Sequence, residues 1–126
     1  MKKNDYTVRL VVRPSQLDPG RAKVQASLRL SDGRRIYFTS KGSVDTFLAK
    51  NLFDTTGRPY DVERYDKSTY RIMRGLYTSI VEAMMDLLCI DSSVKVTDLS
   101  TDEIRGKVEE YLNVWNRNHS EEGGNV

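Results

Sequence analysis

Apolar and polar residues alternate along three stretches near the start of the chain, and this pattern predicts three β-strands. The strands are expected over residues 6–13, 22–30 and 34–40. In each of them every second residue is apolar, so the sheet should have one apolar and one polar face. Because the connections are short, the strands should form an antiparallel meander, which needs a helix over its apolar face to be stable.

The hairpin between the second and third strands can close in two registers, and only one keeps the two faces distinct. A two-residue Asp-Gly turn would place Leu28 opposite Tyr37 and mix apolar with charged residues on both faces. A three-residue loop over residues 31–33, with Gly33 in the left-handed conformation, instead places Leu28 opposite Ile36. The alternation therefore predicts the three-residue loop.

Apolar spacings of three and four residues predict two longer helices. The first covers about residues 67–89, and Gly75 within it suggests a close approach to the sheet backbone. The second begins after Ser100, which can form a capping box with Glu103. A further short helix is possible over residues 43–52. Its inward side chains would be Val44, Phe47, Leu48 and Leu52.

The predicted fold class is α+β: a three-stranded antiparallel β-meander packed on a long α-helix, followed by a second C-terminal helix. Residues 1–90 would hold the sheet and the long helix, and 91–118 the capped helix. Residues 119–126 read as a disordered tail or linker. The length fits one domain that needs no metal or disulfide staple. The single cysteine, Cys89, is expected to be a core residue in a cytoplasmic protein.

Candidate catalytic chemistry is sparse in this sequence. The only histidine, His119, falls in the polar tail, where solvation is the simplest expectation. There is no zinc-ligand cluster, phosphate-binding glycine loop or nucleophile elbow. The sequence also has no apolar stretch long enough to span a bilayer. We therefore expect no enzyme, cofactor, metal, small-molecule substrate or membrane association.

Charge is distributed unevenly, although the net charge is only +2. Residues 1–75 hold 16 Lys and Arg against 8 Asp and Glu, a net +8, whereas residues 76–126 hold 4 against 10, a net −6. The basic half is the strand-rich half. This asymmetry favours a polyanionic partner.

The polar face of the sheet is the candidate binding surface. Besides Thr7 and Val11, the side chains expected on it are Arg9, Arg13, Lys23, Gln25, Ser27, Arg29, Arg35, Tyr37 and Thr39. None is acidic, whereas an ordinary solvated face, the alternative interpretation, should mix charges of both signs. Arginine and glutamine are the residue types that pair with guanine and adenine, and cations contact phosphates. The face therefore predicts binding to double-stranded DNA.

The order of elements resembles the N-terminal arm-type DNA-binding domain of tyrosine recombinases, the integrases of phages and conjugative transposons. The resemblance rests on the meander, Lys41-Gly42, the phrase from Phe53 to Arg58 and the following helix, over about residues 6–112. It implies that the sheet enters the DNA major groove and that Arg29, Arg35 and Tyr37 face the groove. Arg9 and Arg13 would hold phosphates at its edge.

The resemblance further implies a non-catalytic module, because the catalytic residues of a recombinase belong to a later domain. The chain would be either a fragment of an integrase or a free-standing module, and other integrase subunits are possible partners. A protein-interaction or regulatory module is the alternative: the basic face would dock an acidic partner, or the C-terminal helix another subunit. Single-stranded RNA binding is less favoured because Tyr37 is the one stacking ring expected on the face.

Overall fold

The computed structural model describes residues 6–50, 67–89 and 94–119. Three antiparallel strands, β1 (Tyr6–Pro14), β2 (Arg21–Leu30) and β3 (Arg35–Asp45), form a sheet in the order β1-β2-β3. They are followed by α1 (Thr46–Lys50), α2 (Lys67–Cys89), a 3₁₀ turn (Val96–Asp98) and α3 (Thr101–His119). The predicted α+β meander with two following helices is confirmed.

The β2–β3 hairpin has the predicted three-residue loop. Leu28 lies opposite Ile36, and the Leu30 amide donates a 2.9 Å hydrogen bond to the Arg34 carbonyl oxygen. Gly33 adopts φ 96°, the left-handed region that a glycine enters at little cost. The loop length thus separates the apolar from the polar side chains of both strands.

The core lies between the apolar face of the sheet and α2. Alternate strand residues and one stripe of the helix supply it, as their spacing predicts. Its largest fully buried side chains include Leu10, Val24, Leu28, Leu30, Ile36, Met73, Leu76, Ile80 and Met84. Side-chain burial on one face fixes the register, since a one-residue slip would turn this whole set to solvent.

The capping box of α3 is confirmed. The Glu103 amide donates to Ser100 Oγ at 3.0 Å, and the Ser100 amide donates to Glu103 Oε1 at 3.2 Å. Leu99 and Ile104 on either side of the cap are both buried, as expected of a hydrophobic staple. These contacts fix where the helix begins.

The short helix expected over residues 43–52 is wrong for its first three residues, because β3 continues through a bulge to Asp45. Ser40 is buried at the bulge, where its Oγ accepts from the Val24 amide at 3.0 Å and donates to the Gly42 carbonyl oxygen at 2.8 Å. The Ser40 hydroxyl thus takes the place of a backbone acceptor in the β2–β3 pairing, and the two strands pair again beyond the bulge. Among the described residues of this range, Thr46–Lys50 is helical, as expected.

Of the four side chains expected to point inward from that short helix, two can be placed. Val44 is buried, but as a strand residue, whereas Phe47 is 77% exposed and not inward. The side chain of Leu48 and all of Leu52 lie outside the described residues. So does the side chain of Cys89, whose predicted core position is not described.

Gly75 makes room for α3 and not for the sheet, which corrects the prediction. A Cβ at this position would lie 2.7 Å from Trp115 Cδ1, well inside van der Waals contact. The α3 helix also continues to His119, whose ring stacks on Trp115 with centroids 3.9 Å apart. The expectation of a solvated His119 in the tail is therefore wrong: the residue is half-buried and ends a helix.

A polar contact accompanies this packing of α2 on α3. The Tyr111 hydroxyl donates to Asp86 Oδ2 at 3.3 Å, and Lys107 Nζ lies 3.6 Å from the same oxygen. Burial raises the pKa of Tyr111, and the negative charge of Asp86 raises it further. An acidic residue near the C-terminal end of α2 is thus matched by a cation on α3, away from the polar face.

Candidate nucleic-acid interface

The polar face of the sheet carries all nine predicted site residues on one side. Register and exposure agree: residues of odd number on β1, β2 and the first part of β3 point away from the core. Exposed side chains are Thr7, Arg9, Arg13, Lys23, Arg29, Arg35, Tyr37 and Thr39; half-buried ones are Val11, Gln25 and Ser27. The half-buried ones lie on or beside the central strand.

Pairing across the three strands arranges these side chains in four rows. The arginine row is Thr7, Arg29 and Arg35; the tyrosine row is Arg9, Ser27 and Tyr37; the glutamine row is Val11, Gln25 and Thr39; the lysine row is Arg13, Lys23 and Ser43. Rows lie two residues apart, which is about 6.8 Å along a strand. Every row except the glutamine row contains at least one cation.

Arg29 and Arg35 face each other directly across β2 and β3. Because Leu30 is hydrogen-bonded to Arg34, antiparallel alternation makes the next pair a non-hydrogen-bonded one, with Cα atoms about 4.5 Å apart. Like charges so placed are destabilising. The four rows contain no carboxylate that would offset this repulsion. The arginine row is therefore a site of concentrated positive charge at the hairpin end of the sheet.

Two contacts hold the other end of the face. Arg13 Nε donates to Gln25 Oε1 at 3.2 Å, joining β1 to the central strand. Lys23 Nζ donates to the Lys41 carbonyl oxygen in the bulge. Both contacts leave further N–H groups on these cations for an outside acceptor.

The bulge extends the face beyond the predicted residues. Arg21 lies opposite Asp45, and its Nη2 donates to the Ser43 carbonyl oxygen at 2.9 Å. Strand parity alone missed Arg21, Ser43 and the bulge residue Lys41. Gly42, a glycine within a strand pattern, was the available signal, because such glycines often mark bulges.

Arg34 attaches the hairpin tip to the helical layer. Its Nη2 donates to the Val96 carbonyl oxygen at 3.0 Å, and its Nη1 donates to Thr101 Oγ1 at 3.3 Å. The same guanidinium pairs with Asp32 at 2.9 Å, and its hydrogen bond is the largest cause that lowers the pKa of that carboxyl group. These bonds set the position of the hairpin that carries Arg29 and Arg35.

Arg105 of α3 attaches to the edge strand β3 at the tyrosine row. Its Nη1 donates to the Tyr37 carbonyl oxygen at 3.3 Å, and its guanidinium carbon lies 5.5 Å from the centre of the Phe38 ring. The Tyr37 side chain, on the opposite side of the strand from the core, is 45% exposed. The helical layer thus supports β3 from its edge and leaves the polar face open.

Comparisons with known proteins give no assignment: no family model, curated protein or solved structure matches this chain. Within the described ranges, no helix is both long and apolar enough to cross a membrane, and no three His, Cys, Asp or Glu side chains could hold a metal ion. The phrase from Phe53 to Arg58, which carries part of the family resemblance, lies outside the described residues.

Proposed function

We propose that this chain binds double-stranded DNA sequence-specifically by inserting the polar face of its sheet into the major groove. The observation that carries the proposal is the arginine row, where Arg29 and Arg35 lie opposite each other and no carboxylate falls in any of the four rows. Such an arrangement lowers the stability of the free protein. A polyanion over the face would offset that cost.

The dimensions of the sheet are compatible with the major groove. Neighbouring strands lie about 4.8 Å apart, so three backbones span about 10 Å. The major groove of B-DNA is about 12 Å wide and about 8.5 Å deep. Side chains on the hairpin would then reach base edges, and those on the outer strand β1 and at the far end of the central strand would meet the phosphates.

This geometry divides the face by role. Arg29 and Arg35 are the base-reading candidates, because a guanidinium can donate two hydrogen bonds to the O6 and N7 atoms of guanine. Arg9, Arg13 and Lys23 are the phosphate-contacting candidates, which fix position without reading sequence. The remaining hydrogen-bonding side chains of the face are Ser27, Tyr37 and Thr39.

The resemblance to arm-type domains suggests the wider role. The chain, acting in the cytoplasm, would be the non-catalytic module that holds a site-specific integrase on its arm sites in DNA. Other integrase subunits would be its protein partners. The confirmed meander and its four rows without a carboxylate support this reading. The role needs no cofactor or small-molecule substrate.

Fluorescence anisotropy with a labelled mixed-sequence duplex across a salt series tests the proposal. If about three to five phosphates are contacted, log K should fall against log salt with a slope of about −2.7 to −4.5. Arg9→Ala should reduce that slope by about 1 and weaken all sequences alike. Arg29→Ala should cost about 1 to 3 kcal/mol on a selected site and relax the preference at one base pair.

Lys107→Ala provides the matched control. Lys107 is a cation of the helical layer, where Glu110 and Asp86 surround it, so its loss should leave affinity and slope unchanged. Salt-independent binding, or a Lys107→Ala variant as weak as Arg29→Ala, would contradict the proposal. Binding to an acidic protein in the absence of any duplex binding would instead favour the interaction-module alternative.

A further inference from the structure

We infer that the glutamine row, Val11, Gln25 and Thr39, reads one A·T base pair within the bound site, with Gln25 oriented by Arg13. This inference rests on the proposed DNA binding and specifies which base pair the middle of the face recognises. This row alone has no cation and brings two methyl-bearing side chains to either side of an amide.

Gln25 is well placed for direct readout. It lies on the central strand, with Val11 opposite it on β1 and Thr39 opposite it on β3. Directly opposed Cβ atoms in antiparallel strands are about 4.5 to 5.5 Å apart, so both neighbours restrict the Gln25 side chain. The residue is half-buried, consistent with this crowding.

Arg13 sets which way the amide points. Its Nε donates to Gln25 Oε1 at 3.2 Å, which uses one lone pair of that oxygen. The second lone pair and both Nε2 hydrogens remain for a ligand, and Nε2 has no partner among the described residues. The amide therefore presents one acceptor and one donor side by side.

Adenine offers the complementary pair in the major groove. Its N6 amino group donates and its N7 accepts, so Gln25 Oε1 and Nε2 can form two hydrogen bonds to one base. The thymine of the same pair presents a C5-methyl group, which apolar side chains contact. Val11 and Thr39 lie on opposite sides of Gln25, and the one on the thymine side supplies that contact. Guanine presents two acceptors and would leave Gln25 Oε1 facing an oxygen.

The test starts with selection of binding sites from a randomised duplex library by the wild-type chain and by Gln25→Ala. Wild type should select an A·T pair at one position, and changing that pair to G·C should weaken binding by about 5-fold to 150-fold in anisotropy. Gln25→Ala should lose most of this discrimination and keep only the part that the methyl contact with thymine supplies. Gln25→Glu should prefer cytosine there, because a carboxylate accepts from cytosine N4.

Two further variants separate positioning from general binding. Arg13→Ala should reduce A·T discrimination as well as affinity, whereas Lys23→Ala should lower affinity for both duplexes by the same factor. Duplex binding with normal salt dependence but no A·T position sensitive to Gln25→Ala would overturn this inference and leave the proposed function standing. Absence of duplex binding altogether would overturn both.

Discussion

Replacing Gly75 by alanine should destabilise the packing of α2 on α3. A Cβ at this position would meet the Trp115 ring at 2.7 Å from Cδ1 and Cε2, where ordinary contacts begin near 3.4 Å. The indole must shift or α3 must move away from α2. Gly106→Ala is the matched control, because Gly106 is an exposed glycine inside α3 with nothing within 4 Å of its Cβ position.

Both substitutions change helix propensity in the same way, but only Gly75→Ala also overpacks a contact between helices. Alanine is favoured over glycine inside a helix by about 1 kcal/mol, so Gly106→Ala should raise the free energy of unfolding by up to that amount. Gly75→Ala receives the same gain but adds an overpacking cost of about 1 to 3 kcal/mol. The helix-propensity term cancels in the comparison. The two variants should therefore differ by about 1 to 3 kcal/mol, with Gly75→Ala the less stable.

Urea unfolding followed by far-UV circular dichroism measures this difference, and emission from Trp115, the only tryptophan, reports the local change. Gly75→Ala should shift the folded-state emission to the red, as the indole becomes more exposed, while Gly106→Ala leaves it unchanged. Equal stabilisation by both substitutions, with unchanged emission, would refute the close contact between Gly75 and Trp115.

Three further predictions concern the supports of the polar face. Arg34→Ala should lower the free energy of unfolding by about 1 to 3 kcal/mol, because its bonds to Val96 and Thr101 tie the hairpin to the 3₁₀ turn and to the start of α3. In urea unfolding Arg35→Ala should be neutral or stabilising, and equal effects of the two substitutions would contradict this. Ser100→Ala should cost about 1 kcal/mol through loss of the cap to Glu103, and an unchanged urea midpoint would argue against that cap. The pKa of Asp32 is lowered from 3.8, so its contribution to stability is present above that value and is lost as pH falls through the lower folded pKa. Relative to Asp32→Asn, the wild type should lose stability on acidification below about pH 4, and parallel pH profiles would contradict the Asp32–Arg34 pairing.

The sheet and its polar face were predictable because strand alternation has a period of two and one face must be buried. Leu28 and Ile36 could share the core only if the hairpin loop held three residues, and that choice also put Arg29 opposite Arg35. The Ser100–Glu103 cap could likewise be predicted from the sequence, because it depends on residues only three positions apart in the chain.

Features that depend on contacts between distant segments were not predictable. The partner of Gly75 is Trp115, forty residues later, and no local pattern distinguishes an approaching helix from an approaching strand. The bulge depends on one Ser40 hydroxyl that replaces ladder bonds, so residues 43–45 could be read as the start of a helix. The contact from Arg13 to Gln25 required the side-chain geometry of two paired strands.

Titration of ¹⁵N-labelled protein with a short mixed-sequence duplex, followed by backbone amide shifts, tests the central claim most directly. DNA binding by the polar face predicts that the largest changes fall on the strands, at the arginine, tyrosine and glutamine rows, with α2 and the outer side of α3 unaffected. Changes concentrated on α3, or a spectrum unaltered by duplex at low salt, would contradict the claim that this face binds DNA.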